Sequence, residues 1–61
     1  MYRIWVANAA GEEYPLGEGT DNVAIAVDCA IFAVQTLRVK KVIGATVMVL
    51  AHDRGVWACE V

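Results

Sequence analysis

Two cysteines and one histidine are the side chains of this 61-residue chain with the most direct capacity for nucleophilic or metal chemistry, and they are Cys29, Cys59 and His52. A credible zinc site brings such ligands together at short spacings, and a cysteine nucleophile needs a base that a third group orients. Neither pattern is present. We therefore expect a small buried hydrophobe at Cys59, a hairpin-end imidazole at His52 and a thiol on an outer helix face at Cys29. The sequence predicts no catalytic residue, no metal and no cofactor, and hence a protein that is not an enzyme.

A second candidate for chemistry is the glycine-containing segment Gly17-Glu18-Gly19-Thr20, which precedes a predicted helix. Free amides at a helix start can hold a phosphate. However, the Lys and Ser/Thr pair of a nucleotide-binding loop is absent, and Glu18 and Asp21 would repel an anion. We favour a flexible loop that leads into a helix cap.

Carboxylates crowd the segment between the first predicted strand and the helix. An aromatic and an aliphatic side chain of the kinds that anchor interfaces lie among them. The candidate partner-binding residues are Glu12, Glu13, Tyr14, Leu16, Glu18 and Asp21. A glycine-rich loop offers neither the rigidity nor the cleft that acid/base catalysis requires. Two interpretations remain: a solvated acidic loop, or a surface that binds a basic protein or imitates nucleic acid.

The only basic cluster is Arg38, Lys40 and Lys41. Cations at the end of a helix compensate its dipole, and lysines protect sheet edges, so these roles are one explanation. The other is contact with single-stranded nucleic acid, for which an exposed Trp57 or Trp5 would serve as a stacking platform. Because three charges are too few for tight binding at physiological salt, nucleic-acid binding is the alternative function.

Charge and composition favour association with another protein. Residues 1–30 contain one cation and five carboxylates, a balance of −4, whereas residues 31–61 contain four cations and two carboxylates, a balance of +2. The hydrophobic fraction of 59% is high, but the longest uncharged apolar stretch, residues 42–51, is too short to span a bilayer. Few cysteines and no recognisable leader predict a cytoplasmic protein. A chain this small usually gains stability from a partner or a second copy.

Hydrophobic periodicity predicts one domain, residues 1–61, of the α+β class. In chain order, the predicted elements are a strand at Tyr2–Ala7, a loop at 8–19, a helix at 20–38 capped by Thr20 or Asp21, and strands at 42–51 and 56–61. The turn between the last two strands contains Asp53, Arg54 and Gly55, and Gly55 is expected to take a positive φ. Apolar residues on both faces of the 42–51 strand predict burial on both sides, or on one side plus a partner.

The predicted architecture is one helix on a three-stranded mixed sheet. A right-handed crossover would make the first two strands parallel, and the hairpin would make the last two antiparallel. We favour a split βαβ order with the last strand central over an order that places the first strand directly beside the second.

The helix is predicted to have two apolar faces. At about 100° per residue, the stripe for the sheet consists of Val23, Val27, Ala30, Val34 and Leu37. Ile25, Cys29 and Phe32 lie almost opposite, beside the polar Asp28 and Gln35. Either the loop folds over this second stripe through Tyr14 and Leu16, or the stripe is a surface for self-association or for a partner. We expect a homodimer, because an open patch of this kind is unusual on a monomer.

The predicted hairpin contains Gly44-Ala45-Thr46-Val47-Met48-Val49 in one strand and Gly55-Val56-Trp57-Ala58 in the other. This hairpin and the order of the elements before it resemble those of very small phage-encoded anti-CRISPR proteins. The resemblance covers most of the chain in order of elements and about ten residues in identity. It implies a non-enzymatic inhibitor in the host cell cytoplasm that docks on the nucleic-acid-binding surface of a CRISPR surveillance complex. Because this chain lacks the lysines of the basic members, the acidic loop would contact a basic groove.

Overall fold

The computed structural model describes all 61 residues and has the element order ββαββ. The elements are β1 (Tyr2–Ala7), β2 (Glu13–Thr20), α1 (Val23–Val39), β3 (Thr46–Ala51) and β4 (Arg54–Glu60). The four strands form one antiparallel sheet in the order β2-β1-β3-β4, and α1 packs on one face of it. The α+β class is therefore confirmed, and so are the bounds of the first strand. The prediction of a mixed, three-stranded sheet is wrong.

The additional strand, β2, lies in the segment predicted as a loop. Asn8 organises the turn before it, because its Oδ1 accepts hydrogen bonds from the backbone N of Ala10 and of Glu12, both at 3.0 Å. The chain then returns beside β1, with Ile4 opposite Leu16 and Val6 opposite Tyr14. Gly17 and Gly19 have positive φ angles, and the register shifts between Tyr2 and Ile4. An edge strand tolerates such irregularities, which is why a segment that lacks a strand pattern pairs nevertheless.

The same strand explains the error in strand order. β1 lies beside β3 and antiparallel to it, and the last strand, β4, is at an edge and not in the centre. Because β2 carries the chain back to the end of the sheet where β1 began, α1 starts from that end, and β3 must then run opposite to β1. The predicted parallel crossover assumed a loop in place of β2.

The helix begins three residues later than predicted. Its N-cap is Asn22, whose Oδ1 accepts hydrogen bonds from the backbone N of Ala24 at 2.9 Å and of Ile25 at 3.3 Å. The prediction of Thr20 or Asp21 as the cap is wrong. The Thr20 hydroxyl accepts instead from the backbone N of Asn22 at 3.2 Å, in the turn before the helix.

A left-handed lysine ends the helix. Lys41 has a φ of 60°, and its N–H donates to the Arg38 carbonyl while the Val42 N–H donates to the Leu37 carbonyl. This pair of hydrogen bonds is the Schellman motif, in which glycine is the usual residue at the left-handed position. Residues 42–45, predicted as strand, form the exit from this motif, and β3 begins at Thr46.

The β3–β4 hairpin turns at His52 and Asp53. His52 takes the left-handed conformation, with a φ of 57°, and Gly55 does not. The prediction of a positive φ at Gly55 is therefore wrong: Gly55 lies within β4, opposite Leu50, where the register shifts. The predicted position of His52 at a hairpin end is correct.

The core is small and contains only valine and alanine. Seven residues are buried: Val6, Ala26, Ala30, Val34, Ala45, Val47 and Val49. In the predicted sheet-facing stripe, Ala30 and Val34 are buried and Val27 and Leu37 are half-buried, but Val23 is 43% exposed. Ala26 takes the place that Val23 was expected to fill. Cys59, predicted as a buried hydrophobe, is half-buried and packs against this core.

Candidate partner-binding groove

A groove of about 400 Å³ opens between α1 and β2. Ile25, Cys29 and Phe32 line its helix side, and Leu16 and Glu18 line its β2 side. Tyr2 and Ile4 of β1 also line the groove, so most of its surface is apolar. It exists because α1 lies over the central strands β1 and β3 and approaches β2 less closely. We call this feature the α1–β2 groove.

The helix side of the groove is open to solvent. Phe32 is 71% exposed, Ile25 is 52% exposed and Cys29 is exposed as well. The alternative in which Tyr14 and Leu16 fold over these residues is therefore wrong. Leu16 stands across the groove from them because it is held in β2 opposite Ile4. An aromatic ring with so large an exposed fraction is a common feature of interaction surfaces.

The structure divides the six acidic-segment residues between two ends of β2. Leu16 and Glu18 lie in the groove, together with the residues predicted for self-association. Glu12, Glu13 and the 42% exposed Tyr14 lie at the other end, beside the β1–β2 turn. Asp21 follows β2, and its carboxylate lies 4.0 Å from the Met1 ammonium group. Two surfaces predicted as separate are thus partly one, and β2 is the element that joins them.

The backbone N–H groups that a side chain caps at the start of α1 are not free to bind a phosphate. The Asn22 side chain already accepts hydrogen bonds from the N–H groups of Ala24 and Ile25. An anion at this end would have to displace that side chain and would lie near the exposed carboxylate of Asp21. The helix start is therefore capped by the chain itself, whereas the segment 17–20, predicted as a flexible loop, is the end of β2.

The basic cluster lies where the helix ends. The Arg38 guanidinium donates a hydrogen bond to the Glu60 carbonyl at 3.2 Å, while Lys40 is the C-cap and Lys41 follows it. Trp57 is half-buried against the core, on the helix-facing side of β4. The structure does not bring an exposed tryptophan to these cations. Arg38 thus connects the end of α1 to β4, and the positions of all three cations at the end of α1 fit the interpretation as a helix end.

The three residues considered for chemistry lie apart. Cys29 and Cys59 are free thiols, and the Cys59 thiol donates to the Glu60 carbonyl at 3.4 Å. His52 is exposed in the β3–β4 turn. No three His, Cys, Asp or Glu side chains are grouped so that they could hold a metal ion.

No helix of the structure has the length and apolar character needed to cross a lipid bilayer.

One surface was missed at the level of sequence, namely the face of the sheet that α1 leaves uncovered. The register aligns Pro15, Trp5, Met48 and Ala58 in one row across all four strands. Two signals were available: the alternation in the first strand places Trp5 opposite the helix-facing side, and the 42–51 segment is apolar on both faces. The row itself depends on β2, which the sequence pattern did not reveal.

No family model, curated protein or solved structure matches this chain.

Proposed function

We propose that this protein is a small, non-enzymatic protein-binding module that acts as an inhibitor. Its α1–β2 groove takes an apolar side chain of a partner, Glu18 faces a positive charge beside that side chain, and Glu12 faces a more distant one at the other end of β2. The observation that carries the proposal is the open apolar groove with Glu18 in its wall. Apolar contact supplies affinity in such an arrangement, and charge supplies selection of the partner.

The acidic residues are available for a partner. Glu12 and Glu18 are exposed, whereas Glu13 pairs with Ala7 and lies on the face of the sheet away from the groove. The only ion pair in the structure joins Asp21 to the Met1 ammonium group. Carboxylates without an internal cation attract a basic surface and speed the encounter with it. The first thirty residues, which contain the whole β1–β2 hairpin, carry the balance of −4.

The chemistry of the partner follows from these two features. A surface that normally binds nucleic acid combines lysine and arginine with exposed apolar or aromatic side chains. Carboxylates spaced along β2 would occupy the positions of phosphates on such a surface. The resemblance to anti-CRISPR proteins makes the nucleic-acid-binding surface of a CRISPR surveillance complex a specific target to test.

A random peptide library displayed on phage tests the proposal even while the natural partner is unidentified. We expect the immobilised protein to enrich peptides in which a leucine or aromatic residue lies between lysines or arginines. The double variant Glu12→Lys/Glu18→Lys should bind a synthetic copy of such a peptide about tenfold or more weakly, equivalent to about 1.4 kcal/mol.

The matched control is Asp53→Lys/Glu60→Lys, which changes the net charge equally but lies in the β3–β4 hairpin. It should bind the peptide nearly as the unmodified protein does. Enrichment of acidic peptides, or equal weakening by both double variants, would contradict the proposal. Binding of a single-stranded oligonucleotide that Lys40→Glu/Lys41→Glu abolishes would establish the nucleic-acid alternative in its place.

A further inference from the structure

The uncovered face of the sheet is apolar at its centre. Its middle row is Pro15, Trp5, Met48 and Ala58, and Arg3 pairs with Leu50 in the next row. An antiparallel sheet that faces water normally alternates apolar and polar residues, with the polar residues outward. Here the outward residues at the centre of the sheet are a tryptophan and a methionine. We call this surface the open sheet face.

The solvent-accessible area of the molecule is also slightly larger than that of a compact monomer of the same mass. Its accessible area is 4258 Å², whereas a compact monomer of this mass exposes about 3,900 Å². The shortest dimension is 17 Å, the thickness of one helix layer on one sheet layer. The buried core has no residue larger than valine. A third layer on the open sheet face would add Trp5 and Met48, which are half-buried in the single chain, to the buried set.

We infer that a second copy of this chain supplies that layer, so that two sheets pack face to face. Four strands spaced about 4.8 Å apart and six residues long give a face of roughly 20 Å by 20 Å. Two such faces together span about 800 Å² in projection, which is in the range of the small interfaces, below about 1,200 Å², that weakly associating partners form. The sheets would pack about 10 Å apart, with Trp5 and Met48 of each copy near the centre.

The charges on the open sheet face select one orientation. Glu13 and Glu60 lie in the row of Ala7 and Thr46, at the outer strands, and Arg3 lies toward the other end of β1. A twofold axis parallel to the strands would place Glu13 over Glu60 of the second copy. A twofold axis perpendicular to the strands, in the plane between the sheets, brings Arg3 toward Glu13 of the second copy. The second arrangement avoids like charges and pairs opposite ones.

Sedimentation equilibrium tests the inference with three variants. We expect the unmodified protein to be a dimer, and Met48→Lys to be a monomer that keeps the far-ultraviolet circular dichroism of the fold. Ala58→Lys changes an exposed residue at the end of the same row and should weaken the dimer without affecting folding. The matched control Phe32→Lys alters a residue of α1 that is 71% exposed and lies away from the open sheet face, and it should leave the dimer intact.

A charge exchange tests the orientation. Arg3→Glu should raise the dimer dissociation constant about tenfold, and Arg3→Glu/Glu13→Arg should restore it. A monomeric unmodified protein at near-millimolar concentration would overturn the inference. Loss of the dimer in Phe32→Lys but not in Met48→Lys or Ala58→Lys would also overturn it, because the interface would then be the outer face of α1.

Discussion

Asn22 satisfies two backbone N–H groups at the start of α1 with a single carboxamide oxygen. We expect Asn22→Ala to destabilise the protein by about 1 kcal/mol, because both donors lose their partner. For a domain of this size, that change lowers the melting temperature by about 4–8 °C. Thermal unfolding followed by circular dichroism measures it.

The control for this prediction is Asp21→Ala. Asp21 is adjacent, exposed and also of a type that caps helices, but its carboxylate contacts only the Met1 ammonium group, at 4.0 Å. Its removal should change the stability by less than about 0.5 kcal/mol. Equal losses from the two substitutions would show that Asn22 is not the cap.

At the scale of the element, the end of β2 depends on a glycine with no room for a side chain. Gly17 and Gly19 both have positive φ, at 70° and 92°. A Cβ at Gly19 would lie 2.8 Å from the Tyr2 carbonyl oxygen, whereas one at Gly17 would have no heavy atom within 4 Å. We expect Gly17→Ala to cost about 1 kcal/mol from backbone strain, and Gly19→Ala to cost clearly more. Urea unfolding of the two variants gives the comparison.

The difference between the two substitutions isolates the steric contact, since both carry the strain of a left-handed alanine. A larger loss should also appear as faster amide hydrogen exchange in β2 and in the β1 residues paired with it. Equal stability of the two variants would mean that β2 does not approach β1 as closely as described.

The elements differ in how far the sequence reveals them. β1 has a clear period of two, and the outer stripe of α1 recurs at helical spacing, so the first strand and the existence of the stripe of Ile25, Cys29 and Phe32 could be predicted. Whether the preceding segment covers that stripe could not, because this depends on β2. β2 contains Pro15 and two glycines, and its conformation depends on hydrogen bonds to β1, a distant part of the chain. Local patterns do not encode such pairing. Because β2 was not predicted, neither the strand order nor the β2 side of the groove could be predicted.

At the scale of the whole molecule, stability depends on very few buried side chains. A domain of 61 residues typically has a free energy of unfolding of roughly 3–9 kcal/mol. Val47 is completely buried, at 0% exposure, among the seven core residues. We expect Val47→Ala to cost about 2–3 kcal/mol, because two methyl groups are removed and the surrounding valines cannot fill the cavity. Urea unfolding measures this loss.

Val39→Ala is the matched control, since Val39 is 82% exposed at the end of α1. This substitution also removes two methyl groups, but at Val39 they are exposed to solvent, and alanine has a higher helix propensity than valine. Its stability should stay within about 0.5 kcal/mol of the unmodified protein. A similar loss in both variants would contradict the assignment of Val47 to the core.

Pro15 makes the two edge strands of the sheet differ in their ability to pair with a strand of another molecule. β2 and β4 are the outermost strands, and Pro15 in β2 pairs with Trp5. A proline in a sheet turns its nitrogen outward, so the free side of β2 lacks a donor at its middle, while β4 contains no proline. An incoming strand from a neighbouring molecule would therefore join β4 more readily, along the part of β4 before the Glu60 carbonyl that Arg38 already occupies. Two molecules paired through their β4 strands would form one eight-stranded sheet with β2 at both edges. Because each edge would then lack a donor at its middle, this sheet would not add further molecules.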